Sequence, residues 1–304
     1  MYIPQSIEIR EVGPRDGLQN EAPIPVSERI RLIDSLSKTG LRRIEVTSFV
    51  RPDKVPQMAG AEDVWAGIEK ANGVIYSALV LNEKGAKRAL EAGFSHLQFV
   101  VSASETHNKK NAGRSREESI EELSKVVSSA TQIGADVEVT ISTAWGCPYE
   151  GDVKPSEVVR LVRRCVEVGV QGVSLGDTTG MATPRRVWDL AHEVRSVLGT
   201  DEVTALNFHF HDTRGTGLAN VLGAMDAGER YFDASIGGLG GCPYAPGAAG
   251  NIATEGLVYM AHDMGVETGV DLDSLLEVAR LAQEIAGREL PSAVLKAGPR
   301  WKKK

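Results

Sequence analysis

The sequence has few cysteines, few aromatic residues and no long apolar run. Its 304 residues include three cysteines and only 5% aromatic residues. A small and odd number of cysteines argues against the disulfide framework of a secreted protein, so we expect a reducing compartment. No stretch approaches the roughly 18 consecutive apolar residues that a membrane span needs. We therefore expect neither a membrane-spanning helix nor a membrane partner.

An excess of positive charge is also absent. Asp and Glu number 41 against 34 Lys and Arg, which leaves a net charge of −7. Nucleic-acid binding usually needs a basic face, and the only basic run is the short tail Lys302–Lys304. The first residues pass directly into a strand-like run, which leaves no room for a signal or transit peptide. We expect a cytoplasmic protein without a nucleic-acid partner.

Eight short runs rich in β-branched residues recur along the chain, and a segment with helical periodicity follows each of them. The runs are Ile7–Val12, Arg43–Thr47, Ile75–Leu81, His96–Ser102, Val137–Thr143, Gly172–Gly176, Thr204–His211 and Tyr231–Ile236. Alternating strands and helices predict parallel strands joined by right-handed crossovers. A doubly wound open sheet is the alternative, but its first strand normally leads into a glycine-rich phosphate turn, and Gly13–Gly17 is not one. Eight units in about 265 residues match a (β/α)8 barrel.

The sequence therefore predicts a single α/β domain over residues 1–304, a TIM barrel with an extra C-terminal helix. The barrel takes about 5–265, and a wide apolar stripe indicates the additional helix over about 271–287. The first helix of the barrel is predicted to begin after Ser27 as its N-cap and to be closed by Gly40. No linker or low-complexity segment separates a second domain.

Coordinating side chains follow the seventh predicted strand. In a barrel of this type the active site lies at the C-terminal ends of the strands. His209 and His211 are two residues apart, so both imidazoles can face the barrel axis. This spacing suggests that the two histidines bind a metal ion together. The other interpretation is that both are held by hydrogen bonds in a polar barrel mouth.

Further polar residues follow the first and the eighth strands. Asp16 stands beside Arg15, where a simple ion pair is the alternative, and the glycine-rich segment Gly237–Asn251 carries Cys242 and ends in the amide of Asn251. Closure of the barrel would place these residues and the two histidines in one sector of the rim. Imidazole, carboxylate and amide ligands together suit Mg²⁺ or Mn²⁺, with Zn²⁺ as the alternative.

Several segments together resemble hydroxymethylglutaryl-CoA lyase, one of the metal-dependent barrel lyases and synthases that share an Arg-Asp-Gly motif after the first strand. They are Glu11–Glu21, Glu45–Val50, Gly146–Gly151, Ser174–Thr178, His209–Thr213 and Gly238–Asn251. The resemblance spans about 7–290. It implies a carbon–carbon lyase of leucine degradation that cleaves 3-hydroxy-3-methylglutaryl-CoA to acetyl-CoA and acetoacetate, and a homo-oligomer, either a dimer or a tetramer.

The resemblance also implies a role for each matching residue. The metal ligands would be Asp16, His209, His211 and Asn251. The catalytic residues would be Arg15, the loop cysteine Cys242, the proton-transfer residue Asp177, and Glu45, which holds the site together. The contacts to substrate and CoA would come from Gln19, Lys110, Asn111 and Ser115.

One position departs from the family pattern. The histidines are usually followed by Asp-Thr-Tyr-Gly-Gln, whereas Arg214 stands here in the place of the tyrosine. A permanent cation near the mouth is expected to alter the recognised acyl group or the CoA contacts. The alternatives are therefore a lyase for citramalyl-CoA or another branched 3-hydroxyacyl-CoA, a condensing acyltransferase of the isopropylmalate or homocitrate synthase type, and a non-catalytic metal-binding barrel.

Overall fold

Parallel strands pair in a closed ring, as the sequence predicts. The computed structural model describes residues 1–198, 205–241 and 250–301. In this part of the chain, the barrel strands are β1 (Glu8–Glu11), β2 (Arg43–Ser48), β3 (Ile75–Val80), β4 (His96–Ser102), β5 (Asp136–Ser142), β6 (Gly172–Asp177), β7 (Ala205–Phe210) and β8 (Tyr231–Ala234). Each strand pairs with the next along the chain, and β8 pairs with β1 to close the barrel. The predicted (β/α)8 architecture is confirmed.

Helices cover the outside of the barrel. They are α1 (Val26–Leu36), α2 (Ala61–Gly67), α3 (Glu83–Ala92), α4 (Glu105–Ala112), α5 (Arg116–Thr131), α6 (Pro155–Val168), α7 (Pro184–Leu198), α8 (Gly217–Asp226), α9 (Thr254–Asp263), α10 (Leu272–Ala286) and α11 (Ala293–Ala297). Helix α10, in the region of the predicted additional helix, packs against α1 and α9. The carboxylate of Asp271 accepts a hydrogen bond from the backbone N–H of Ser274 at its start, and Gly287, with φ of 66°, follows its end.

The strands are buried on both faces, but the two faces differ in chemistry. All six residues of β2 and all six of β6 are buried. On the outer face of the strands, side chains such as those of Phe208 and Phe232 are fully buried. Their rings lie next to each other. Arg10 and Asp233 lie on the inner face, where a barrel usually holds branched aliphatic residues. This polar interior leads directly to the site described below.

The first helix begins earlier than the sequence suggests. It starts at Val26 with Pro25 at the N-cap position, and the prediction that Ser27 is the N-cap is wrong. The carbonyl of Pro25 accepts hydrogen bonds from the N–H groups of Glu28 and Arg29, so the helical turn is already formed where Ser27 stands. A proline fixes φ close to its helical value and needs no N–H partner there.

Two further features were not expected from the sequence. A short antiparallel hairpin, Gly146–Cys147 with Gly151–Asp152, stands between β5 and α6. The segment Gly13–Gly17 forms one turn of π-helix directly after β1. Among the described helices, none combines the length and the apolar character that crossing a lipid bilayer requires.

Candidate active site

The turn Gly13–Gly17 carries Arg15 and Asp16 to the mouth of the barrel. The N–H groups of Arg15, Asp16 and Gly17 all donate to the carbonyl of Val12, which ends the β1 run. A Cβ on Gly17 would lie 2.8 Å from the Cβ of Leu239, so only glycine lets this turn pack against the segment after β8. Because the turn is tight and packs against the segment after β8, the directions of the Arg15 and Asp16 side chains are fixed.

Asp16 meets the two histidines of the β7 end. Ligand atoms of Asp16, His209 and His211 all lie within 4.8 Å of one another, and all three residues are buried. The Nε2 atoms of the two imidazoles are 3.2 Å apart, and Nε2 of His209 is 3.9 Å from Oδ2 of Asp16. Three converging ligand atoms of this kind can hold a divalent cation.

Asn251, at the end of the segment that follows β8, lies next to this group. Its backbone forms an isolated β-bridge with His211, and its Nδ2 donates to Asp16 Oδ2 at 2.7 Å and to the carbonyl of Leu239 at 3.0 Å. Oδ1 of Asn251 is buried and has no hydrogen-bond partner among the described residues. Since a half-turn of the amide exchanges its two atoms, Asn251 can offer this oxygen to a cation held by Asp16.

Arg15 connects the group of Asp16 and the two histidines to Glu45 on β2. Its Nη1 is 2.8 Å from Asp16 Oδ1, and its Nε is 2.8 Å from Glu45 Oε2. Burial alone would lower the pKa of Arg15, but the charges of Glu45 and Asp16 outweigh burial and raise it. Burial alone would raise the pKa of Asp16, but Arg15 and the two histidines outweigh burial and lower it. Both groups are therefore charged at neutral pH, as cation binding requires of the carboxylate.

Asp177 ends β6 and lies beneath a tight turn. Its carboxylate accepts hydrogen bonds from the N–H of Met181 at 2.8 Å and of Ala182 at 3.1 Å. Burial raises the pKa of Asp177 to about 6, because these hydrogen bonds compensate only part of the lost hydration. The side chain that reaches the mouth cavity from this strand end is that of Thr178.

Arg214 holds the same turn rather than lining the mouth. Its Nη1 donates to the carbonyls of Thr179 and Gly180, both at 2.8 Å. The guanidinium therefore fixes the backbone next to Asp177. The sequence-based interpretation of Arg214 as a residue near the mouth places it on the correct side of the barrel, but the described contacts of its side chain are with the turn.

A cavity of about 910 Å³ opens at this end of the barrel, within the size range of ligand sites. Among all the predicted site residues, those that line it are Arg15, Asp16, Gln19, Glu45, Lys110, Asn111, His209 and His211. Ser115 is not among the lining residues. Its hydroxyl instead forms a capping box with Glu118 at the start of α5. The structure thus gathers most of the predicted site and places Ser115 in a helix cap.

The outer wall of the cavity is basic, although the chain as a whole is acidic. Arg51, Lys54, Lys110 and Arg114 are among the residues that line the cavity. The Nζ of Lys110 lies 4.0 Å above the ring of Tyr149. Sequence reasoning found only Lys110 of these four, because the others are spread over two connecting segments and share no motif. A rim of this charge suits a polyanionic ligand arm.

Two buried charged residues beneath the site were also not predicted from the sequence. Asp233 on β8 lies 3.0 Å from Nδ1 of His209, and Arg10 on β1 donates to both oxygens of Asp233 at 2.8 Å. A signal was present, because each is a charged residue in the middle of a run that reads as a buried strand, and buried charges need partners. Cys242, the predicted loop cysteine, lies outside the described residues.

Fold and site together define an enzyme of the divalent-metal-dependent barrel class. The model of the HMGL-like family matches residues 6–282. Hydroxymethylglutaryl-CoA lyase YngG of Bacillus subtilis is 45% identical over 293 residues, which cover 96% of this chain and 97% of that protein. A solved HMG-CoA lyase from Acinetobacter baumannii, in complex with coenzyme A and 3-methylmalate, superposes with a TM-score of 0.94 at 42% identity and covers 99% of this chain and 97% of its own. The chain belongs to the hydroxymethylglutaryl-CoA lyase family.

A further relative is named for two substrates. The 3-hydroxy-3-isohexenylglutaryl-CoA/hydroxymethylglutaryl-CoA lyase of Pseudomonas aeruginosa is 42% identical over 298 residues, which cover 98% of each protein. Similar overall identity therefore accompanies more than one named acyl group. The resemblance seen in the sequence motifs is confirmed by these matches over nearly the whole chain.

Proposed function

We propose that this protein is a divalent-metal-dependent lyase that cleaves 3-hydroxy-3-methylglutaryl-CoA to acetyl-CoA and acetoacetate. The observation that carries the proposal is the convergence of Asp16, His209 and His211 beside Arg15 in one cavity. The names of the B. subtilis and A. baumannii proteins support the substrate. The reaction is a retro-Claisen cleavage, in which the bond between C2 and C3 breaks.

The cation would be held by Asp16, His209, His211 and Asn251. The Oδ1 of Asn251, which has no hydrogen-bond partner in the described part of the chain, and the lowered pKa of Asp16 fit this assignment. Nitrogen and oxygen ligands without a thiolate favour Mg²⁺ or Mn²⁺ over Zn²⁺. When bound, such an ion supplies Lewis acidity that makes the substrate hydroxyl easier to deprotonate.

Arg15 would stabilise the charge that develops on the thioester oxygen as C2 separates from C3. Its contacts with Asp16 and Glu45 engage three of the five guanidinium N–H donors, and the residue lines the cavity. The remaining donors are thus available to the enolate oxygen within the described part of the site. A permanent cation held rigidly by two carboxylates needs little reorganisation during the reaction.

Two protons move in the proposed reaction. The hydroxyl proton of C3 goes to a base, for which Asp177 is one candidate: its pKa of about 6 leaves it mostly ionised at pH 7, and its carboxylate lies under the turn next to Thr178, which lines the cavity. His209 is the other candidate. The enolate carbon of the acetyl-CoA product then takes a proton, and the family resemblance assigns this donation to Cys242.

The basic side of the cavity would bind the CoA arm. Arg51, Lys54 and Lys110 line the cavity and would face the phosphates, and Gln19 and Asn111 line the same cavity with amide groups. Ser115 would contribute only indirectly, by capping α5 beside this wall. Arg214 would act on the turn that holds Asp177, and through that turn on the acyl group.

A second substrate class is supported by one observation. The P. aeruginosa relative is named for a substrate with a longer branch as well as for hydroxymethylglutaryl-CoA. A cavity of about 910 Å³ has room for a larger C3 substituent. A 3-hydroxyacyl-CoA with a longer branch at C3 is therefore an alternative substrate, and citramalyl-CoA, whose acyl group is one methylene shorter, stays an alternative from the sequence motifs only.

The family resemblance carries the remaining parts of the proposal. They are a homo-oligomer, either a dimer or a tetramer, and a role in leucine degradation, whereas a cytoplasmic location is proposed from the small and odd number of cysteines. Light scattering during size-exclusion chromatography of the purified chain measures the first of these directly, and a monomeric mass would contradict it.

A coupled assay for acetyl-CoA release tests the activity. We expect release from 3-hydroxy-3-methylglutaryl-CoA with Mg²⁺ or Mn²⁺ and none with a chelator, and citramalyl-CoA is assayed in parallel. Arg15→Met should lower kcat by roughly two to three orders of magnitude, the scale seen when one preorganised oxyanion donor is lost. The control is Arg31→Met, since Arg31 is an exposed residue of α1 with ion pairs on the outside of the barrel. Failure to cleave either substrate with metal present would refute the lyase.

A further inference from the structure

Asp233 is a buried carboxylate of β8 that contacts a proposed metal ligand from behind. The residue is 3% exposed, and its Oδ2 lies 3.0 Å from Nδ1 of His209. The other ring nitrogen of His209, Nε2, points to Asp16 and His211. We propose that Asp233 is a positioning residue, which fixes the tautomer and the ring direction of His209 so that Nε2 remains free to bind the cation. The inference rests on the proposed function only in taking this cluster as the cation site.

The hydrogen bonds of Asp233 determine where the proton of His209 lies. Arg10 donates from Nε to Oδ1 and from Nη2 to Oδ2, and Nδ2 of Asn207 donates to Oδ1, each at 2.8 Å. A carboxylate that receives three donors and faces a guanidinium is ionised and can only accept. The bond to His209 must therefore be donated by Nδ1–H. Neutral His209 then carries its lone pair on Nε2, on the side of Asp16.

The carboxylate is itself held in place by a second layer of charge. Nη1 of Arg10 donates to Glu138 Oε2 at 2.8 Å, and Nε2 of Gln98 donates to the same oxygen at 2.9 Å. Arg43 also pairs with Glu138. Asp233 cannot rotate away from His209 without breaking the bidentate pair with Arg10. Such a buried pair is costly to disrupt, because it would leave an uncompensated charge in the barrel.

A purely structural ion-pair network is the competing interpretation. In that case Asp233 and Glu138 would act alike, since both compensate Arg10 inside the barrel. The two interpretations separate at His209, which Asp233 contacts directly and for which no described contact with Glu138 is found. Glu138→Gln is therefore the matched control for Asp233→Asn, a substitution that keeps the size of the side chain and removes its charge.

The experiment measures metal binding and the tautomer, without substrate. Free Mn²⁺ is titrated by electron paramagnetic resonance, and the ring nitrogens of His209 are observed by ¹⁵N NMR in the full chain labelled at histidine, with His209→Gln for assignment. We expect the Nδ1–H tautomer in the metal-free protein. Asp233→Asn should weaken Mn²⁺ binding by about 10- to 100-fold and shift the tautomer population, whereas Glu138→Gln should change the Kd by no more than about threefold.

Three results would overturn the inference. They are an Nε2–H tautomer in the unsubstituted protein, an unchanged Kd and tautomer in Asp233→Asn, and equal weakening in Asp233→Asn and Glu138→Gln. The first is measured on the unsubstituted protein, with His209→Gln used only for assignment, so it decides the question even when Asp233→Asn does not fold. Absence of lyase activity with intact Mn²⁺ binding would refute the proposed substrate and leave the role of Asp233 standing.

Discussion

Charge compensation explains how individual residues of the site stay ionised inside a barrel. Arg15 is held by Glu45 and Asp16, and Asp233 by Arg10. Asp177 differs, because its described hydrogen bonds come from backbone N–H groups and no described ion pair reaches it, while the charges of His209 and Arg186 compensate its burial only weakly. Burial therefore raises the pKa of Asp177 to about 6, whereas the pKa of Asp16 is lowered. A carboxylate with weak compensation is suited to exchange a proton near neutral pH.

The pH dependence of cleavage tests this assignment of Asp177. A base must be ionised to act, so kcat should fall as the pH drops through about 6 and should be constant above it. Asp177→Asn should remove this limb and lower kcat by about 10²- to 10⁴-fold. The profile is measured at saturating Mn²⁺, because loss of the cation at low pH would produce a similar limb.

The control for this profile is the metal concentration. A limb whose midpoint moves when Mn²⁺ is raised tenfold belongs to cation binding rather than to Asp177. If the residual kcat of Asp177→Asn still falls at the same pH, the base is another group. His209 is then the next candidate.

At the scale of elements, the turn after β1 and the segment after β8 form one unit. Glu11 joins them, since its Oε1 accepts from the N–H groups of Gly13 at 2.7 Å and Ile236 at 2.8 Å. Its Oε2 accepts from the hydroxyl of Thr254 at 2.6 Å. Asn20 adds a bond from its Nδ2 to the carbonyl of Gly241 at 2.9 Å. The backbone that carries Arg15 and Asp16 is thus fixed to the backbone that carries Asn251.

Gly240 lies in the segment after β8, next to the proposed metal ligands Asn251 and Asp16. A Cβ at this position would lie 2.5 Å from Nδ2 of Asn251 and 3.5 Å from Oδ2 of Asp16, at a φ of +122°. We expect Gly240→Ala to displace the amide of Asn251, to weaken Mn²⁺ binding at least tenfold and to lower kcat. Titration of Mn²⁺ and the acetyl-CoA assay measure the two effects.

Gly228 provides the matched control for backbone strain. Its φ is +94°, and a Cβ there would meet nothing within 4 Å. Gly228→Ala should therefore cost only the backbone strain of about 1–2 kcal/mol and leave the Kd for Mn²⁺ unchanged. If Gly240→Ala binds Mn²⁺ as tightly as Gly228→Ala does, the close approach has no bearing on the site.

For the whole molecule, the metal cluster links parts of the chain that closure of the barrel brings together. Asp16 and Asn251 are 235 residues apart, and the unfolded chain cannot hold them near His209 and His211. A cation bound by this cluster therefore binds the folded state in preference to the unfolded one. Binding must appear as added stability against heat.

Thermal unfolding with and without Mn²⁺ measures this linkage. At a free Mn²⁺ concentration 100 times its Kd, the folded state should gain about 2.7 kcal/mol. For a chain of this length, this corresponds to a rise of about 4 °C in Tm. Asp16→Asn and His211→Gln should lose most of the rise, whereas Arg31→Met should keep it. An equal rise in Asp16→Asn would place the stabilising ion elsewhere.

The sequence by itself predicted the barrel and most of the residues around its mouth. Eight β-branched runs alternating with helical periodicity allow few topologies, because parallel strands need right-handed crossovers. The rule that sites lie at strand C-termini then selects Arg15, Asp16 and the two histidines before any contact is known. The start of α1 was placed too late, because the pattern does not show which of Pro25 and Ser27 begins the turn.

Only the tertiary structure decided what these residues contact. The assignment of Arg214 to a turn rather than to the cavity, and of Ser115 to a helix cap, depends on side-chain directions that motif spacing does not contain. Arg10 and Asp233 meet across β1 and β8 only because the barrel closes. Periodicity is a local property that the sequence determines directly. The pairing of buried charges is set by strand register around the ring, which exists only in the folded chain.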